Sequence, residues 1–275
     1  MKDNILLELK ELYKTGKNKE ILQNITFSLH QGEAIAIKGS NGAGKSTLLN
    51  VIAGLSTFNR GQRLLKNNSL IINYVHDQFP RTILTPKELL RFMGSTSGLT
   101  VSQIDSKLIN LTKALRIQED LDTPMSHFSK GMVQKINIIQ ALIEHTDILL
   151  LDEPLTGLDL DSQSEFIQLI KQVKNNGTAI IITSHEEYIL NEISDKVLVL
   201  ESGKIVSVDL IHKLNAVHFT KVHFQLPDSH ILNMYEFESL EKTNNYEYYG
   251  ILNSEYREKL ILNIINQNGL ILRVE

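Results

Sequence analysis

Residues Gly39, Ser40, Asn41, Gly42, Ala43, Gly44, Lys45, Ser46 and Thr47 carry the clearest chemistry in the chain. They follow the pattern G-x-x-x-x-G-K-[ST]. Successive backbone N–H groups of such a loop turn inward and form a nest for phosphate oxygens. Glycine is needed because a Cβ would block both the curl and the approach of the phosphate. Lys45 can reach β- and γ-phosphates, the Ser46 hydroxyl can sit on Mg2+, and Thr47 adds a contact at the helix start. A second group is Asp152 and Glu153, two carboxylates that close the apolar run Ile148–Leu151. Beside a phosphate loop, an Asp so placed can hold Mg2+ and a Glu after it can orient and deprotonate a water. On their own the two acids fit a plain strand end at the surface equally well. Ser129 and Gly131 open a helix-like stretch, offering a hydroxyl and free N–H groups to an anion or simply an N-cap. His185 follows the apolar run Ile181–Ile182. A ring at the carboxyl end of a parallel strand faces the crevice where ligands bind.

These groups need elements to hold them. Ala34–Lys38 reads as a buried strand before the loop, and Leu48–Ala53 as a helix after it, stopped by Gly54. Strand, glycine loop and helix is the context the motif requires. Residues 5–9 and 21–29 read as strands of a β-rich opening, with a polar turn over Lys14–Glu20 between them. Residues 69–75 read as another buried strand. From Phe79 the texture becomes helical: Thr85 and Pro86 are an N-cap followed by proline at the first helical position, and Thr100 with Gln103 forms a capping box. Ile104, Leu108, Leu111 and Leu115 share one face of the helix that follows. Another helix spans about 131–143. Strand texture returns at 148–151, 179–183 and 196–200, with a helix near 161–174. The near-continuous apolar strands predict a parallel sheet covered on both faces. Residues 209–275 read as a small α/β appendage, with segments at 217–226, 246–252, 255–266 and 270–274.

At 275 residues and 42% hydrophobic, the chain can bury a large core. A net charge of −4 argues against general affinity for nucleic acid or anionic lipid, and the absence of cysteine excludes a disulfide framework or thiolate metal site. No run of apolar residues is long enough to span a bilayer, and the opening stretch is too short for a signal peptide. The expectation is a soluble, cytoplasmic protein.

The order of the motifs resembles the ATP-binding subunit of an ABC transporter, over about residues 5–208. The resemblance implies an α/β P-loop NTPase with a RecA-like parallel core, an antiparallel β subdomain and a helical insertion at about 79–145. It makes 1–208 the ATPase domain and leaves 209–275 as an accessory domain. It implies ATP and Mg2+ as ligands, Gly39–Thr47 as the Walker A loop, Asp152 as the end of Walker B and Glu153 as catalytic base. Ser129, Lys130, Gly131 and Met132 match the signature segment that covers the ATP of a second cassette, with Lys130 replacing a glycine as in export-type members. Asp159 matches the D-loop and His185 the switch histidine. The Q-loop role falls on Asp77 by alignment or on Gln78 by chemistry, and Tyr13 is the candidate for stacking on adenine. The implied partners are an integral-membrane permease and a second copy or paralogous ATPase, with the chain peripheral on the inner face of the cell membrane. The implied activity is ATP hydrolysis coupled to transport, in the export direction. The rival reading is a soluble ABC ATPase acting on ribosomes or nucleic acid.

Overall fold

The structure, a computed structural model, describes residues 4–16, 19–210, 219–227, 229–235, 237–243, 246–253 and 256–274. It divides into two compact units, Met1–Ile211 and His212–Glu275. The first unit runs β1 (Ile5–Thr15), β2 (Glu20–His30), β3 (Ala34–Lys38), α1 (Lys45–Ala53), β4 (Arg60–Leu65) and β5 (Ile72–Val75). It continues with α2 (Pro86–Thr96), α3 (Val101–Ala114), α4 (Lys130–Leu142), β6 (Ile148–Asp152) and α5 (Leu160–Asn175). It closes with β7 (Ala179–Thr183), α6 (Glu187–Ile193), β8 (Lys196–Glu201) and β9 (Lys204–Leu210).

Its centre is a six-stranded sheet in the order β5-β6-β7-β3-β8-β9, parallel except for β9. Alternation along the strands explains why their sequences are apolar throughout. Ile35, Ile37, Ile148, Leu150 and Ile181 pack with Leu48, Leu49 and Ile52 of α1 and with Leu7, Leu9 and Ile25 of the opening strands. Ala34, Ala36, Leu149, Leu151, Ile180 and Ile182 belong to the other core, with Leu90, Ile104, Ile136 and Phe166 from the helices and Phe128 from the segment before α4. The P-loop strand and the Asp152 strand are thus fixed from above and below.

The opening strands form an antiparallel sheet, β2-β1-β4. The expected turn over Lys14–Glu20 is shorter than its polar composition suggests: Lys14 still pairs with Leu22, and Thr15 with Glu20. Strand β4 had no apolar signature, being mostly exposed and ordered by its pairing with β1. Strand β5 begins at Ile72 and not at Ser69, because the Ile71 N–H is taken by the Asp147 carboxylate at 2.8 Å.

Both helix starts in the insertion follow from local chemistry. Thr85 accepts from the Glu88 N–H at 3.2 Å while Glu88 accepts from the Thr85 N–H at 2.9 Å, with Pro86 opening α2. Thr100 and Gln103 form the same reciprocal pair at the start of α3. The Arg91 guanidinium then clasps both oxygens of Asp105 at 2.8 and 2.6 Å, joining α2 to α3.

The second unit contains β10 (Phe219–Gln225), β11 (Phe237–Lys242), β12 (Glu247–Asn253), α7 (Arg257–Asn266) and β13 (Leu270–Val274). Its antiparallel sheet has the order β11-β12-β10-β13. Val222, Phe224, Tyr248 and Leu252 form a core with Leu260 and Ile264 of α7. Strand β11, with one half-buried residue among exposed ones, carried no periodic signal. The expected starts at Val217 and Glu255 lie outside the described residues.

Candidate active site

The P-loop sits between β3 and α1. Gly44 holds φ 108°, the left-handed region that favours glycine, and so turns the chain into the helix. Lys45 is almost wholly buried, and its ammonium donates to the Gly39 carbonyl at 2.7 Å and the Ser40 carbonyl at 3.5 Å. The Lys45 head is thereby folded over the loop it follows.

Two strands away, Asp152 ends β6 with only 3% of its surface exposed. Its Oδ1 accepts from the Thr183 hydroxyl at 2.8 Å, and its Oδ2 from the Tyr74 hydroxyl at 3.1 Å. Glu153 follows at φ 47°, a left-handed conformation that a side-chain-bearing residue adopts at a cost of about 1 kcal/mol. The backbone is held there by its N–H, which reaches the Thr183 carbonyl at 3.2 Å and hydroxyl at 3.0 Å. Glu153 Oε1 is buried and accepts no hydrogen bond, while His185 Nε2 stands 3.3 Å from it. Burial pushes the Glu153 carboxyl above the usual carboxylate range, against the pull of His185 and Lys45.

These groups line one open cleft of about 360 Å3, with Ser40, Asn41, Gly42, Gly44, Lys45, Ser46 and Thr47 on one side and Asp77, Asp152, Glu153, Thr156 and His185 on the other. Ile21 also lines it, though nothing in its sequence neighbourhood marks it. Gln78 is exposed and is not among the lining residues. Tyr13 is not among them either: the Arg60 guanidinium covers its ring, 4.9 Å from the centroid.

The donor set fits Mg2+. A carboxylate and a hydroxyl, Asp152 and Ser46, share the cleft, and among the described residues no three His, Cys, Asp or Glu gather into a cage. Mg2+ is a hard cation that takes few protein oxygens and completes its shell with water and phosphate.

Ser129 caps α4, accepting from the Met132 N–H at 3.2 Å, and both Ser129 and Lys130 are exposed. Neither they nor Gly131 and Met132 line the cleft. Glycine is required at 131 by close approach: a Cβ there would stand 2.4 Å from the Gly157 carbonyl. Asp159 caps α5 by accepting from the Ser162 N–H at 2.8 Å, which holds its carboxyl below the ordinary range. The start of α4 and the loop before Asp159 are therefore packed backbone to backbone at Gly131 and Gly157.

The sequence profile of the ABC transporter family matches residues 22–156. The ABC transporter ATP-binding protein NatA of Bacillus subtilis (strain 168) is 30% identical over 198 residues, covering 67% of this chain and 80% of NatA. The chain belongs to the ABC transporter ATP-binding family. As an ABC ATPase it binds and hydrolyses ATP. The zinc import ATP-binding protein ZnuC of Halorhodospira halophila (strain DSM 244 / SL1) is 32% identical over 204 residues, covering 74% of this chain and 76% of ZnuC. A solved ATP binding subunit of an ABC transporter superposes with a TM-score of 0.71 at 27% identity, over 77% of this chain and 92% of its own. The P-loop fold expected from the motifs is the fold of this ABC ATPase. Among the described residues no helix is long and apolar enough to cross a membrane.

Proposed function

We propose that this ABC ATPase energises an integral-membrane permease through closure of two cassettes over ATP. Nucleotide phosphates lie along Gly39–Thr47, with Lys45 on the β- and γ-phosphates. Ser46 and Asp152 hold Mg2+, which neutralises charge on the phosphate oxygens when bound. Glu153 takes the proton of the attacking water, and His185 donates to the γ-phosphate. Asp77 fills the Q-loop role, supported by its place in the cleft, whereas Gln78 and Tyr13 stand outside it. The observation that carries the reading is the Glu153 carboxylate: half-buried, with its Oε1 enclosed and accepting no hydrogen bond, raised in pKa, and in one cleft with the phosphate loop. A carboxylate so tuned suits a general base.

Ser129, Lys130, Gly131, Met132 and Asp159 complete the site of a second cassette, either another copy or a paralogue. Their support is the exposure of Ser129, Lys130 and Asp159 at the starts of two capped helices, outside the lining of their own chain's cleft. The chain is peripheral on the cytoplasmic side, held there by the permease, which the helical insertion contacts. Lys130 in Ser-Lys-Gly-Met supports export.

One reconstitution tests the whole reading. Inside-out vesicles carrying the chain with its permease should hydrolyse added ATP and accumulate the transported solute. Glu153→Gln should lower hydrolysis by about 10²–10⁴-fold while ATP binding persists. Hydrolysis by Glu153→Gln at the parent rate would remove Glu153 as the base, and ATP-driven loss of solute from the vesicles would reverse the direction.

A further inference from the structure

The carboxylate of Asp152 is gripped from both neighbouring strands. Thr183 of β7 donates to Oδ1 at 2.8 Å, and Tyr74 of β5 donates to Oδ2 at 3.1 Å. The Thr183 hydroxyl also accepts from the Glu153 N–H, so it serves the backbone of one acid and the side chain of the other. The Tyr74 hydroxyl donates to Asp152. A phenol carries its proton at working pH, so the Tyr74 hydroxyl is the donor in this pair. Its ring is stacked on His76 at 3.8 Å, and the His76 carbonyl is held by Asn137 of α4 at 2.8 Å. The donor thus stands on a fixed base.

We propose that Tyr74 is a positioning residue for the metal carboxylate. Its hydroxyl locks the rotation of Asp152, so that the lone pairs left on both oxygens face the cleft. This rests on the assignment of Asp152 to Mg2+. A carboxylate free to turn would spend part of its time misaligned with the hydrated ion, and removing an outer partner of a metal ligand typically weakens the site by about 10–100-fold. Tyr74 lies three positions before Asp77 on the strand that leads into the cleft, so its grip also joins the ion's carboxylate to that loop.

Tyr74→Phe removes the hydroxyl and keeps the ring on His76. Two readouts apply to the full chain: the Mg2+ concentration giving half-maximal ATPase activity, and the affinity for Mn2+ as probe ion, read by water-proton relaxation with ADP bound. The expected result is about a tenfold rise in the Mg2+ requirement and a matching loss of Mn2+ affinity, with ADP binding in EDTA unchanged. Unchanged metal dependence in Tyr74→Phe would overturn the proposal, as would a fall in activity that saturating Mg2+ leaves in place. Asp152→Asn separates the two layers. If it also leaves Mn2+ affinity intact, the assignment of Asp152 has failed; if it abolishes the affinity while Tyr74→Phe does not move it, only the role of Tyr74 has.

Discussion

Glu153 combines two costs, one carboxylate oxygen buried without a hydrogen bond and a left-handed backbone. Both suit a residue kept for reactivity rather than stability. Its raised pKa has a signed consequence for folding. The protonated form is favoured in the folded chain, so the associated stability is fully present below the ordinary Glu value of 4.5 and is lost as pH rises through the raised folded value. Glu153→Gln keeps the shape and removes the charge. It should therefore melt above the parent near neutral pH, with the gap shrinking as pH falls to about 4. Thermal scans of both proteins across that range check this, and a gap independent of pH would contradict it. The residue types at Gly39–Thr47 were legible because the motif is contiguous: nine neighbours state their own geometry. Thr183 and Tyr74 were not. Tyr74 reaches Asp152 across 78 positions of sequence, and only the order of β5, β6 and β7 brings them together.

Among the elements, α4 links most parts of the site. Its N-terminus carries Ser129 and Gly131, the latter against the Gly157 carbonyl. Deeper in, Gln134 donates to the Pro154 carbonyl at 3.1 Å, just past Glu153. Asn137 donates to the His76 carbonyl at 2.8 Å, just before Asp77, and to Gln134 Oε1 at 3.3 Å. One helix thus holds both loops that bring acids to the cleft. Asn137→Ala strands the His76 carbonyl and should cost about 1–3 kcal/mol in chemical denaturation. A change within about 0.5 kcal/mol would show that the carbonyl finds another donor. The helix itself was legible from about 131 to 143 and is observed at Lys130–Leu142, but its apolar pattern hides these two amides. They are buried polar groups whose partners are distant in sequence. Elements with weak periodicity were missed for a related reason: β4 and β11 lie mostly exposed, ordered by pairing rather than by an apolar face of their own.

For the whole molecule, the parallel sheet was legible because β3, β6 and β7 are buried on both faces and read as unbroken apolar runs. Each of the two compact units carries its own core. Ser129–Met132, proposed above as the signature, do not line their own unit's cleft, so the proposed mechanism needs a second cassette. Light scattering on the Glu153→Gln chain with saturating ATP and Mg2+, combined with a count of bound nucleotide, tests that requirement most directly. The expected result is a mass of two chains holding two ATP molecules, reverting to one chain when Ser129 or Lys45 is also substituted. A chain that stays single while carrying ATP at saturation, both alone and mixed with a paralogous cassette, would contradict it.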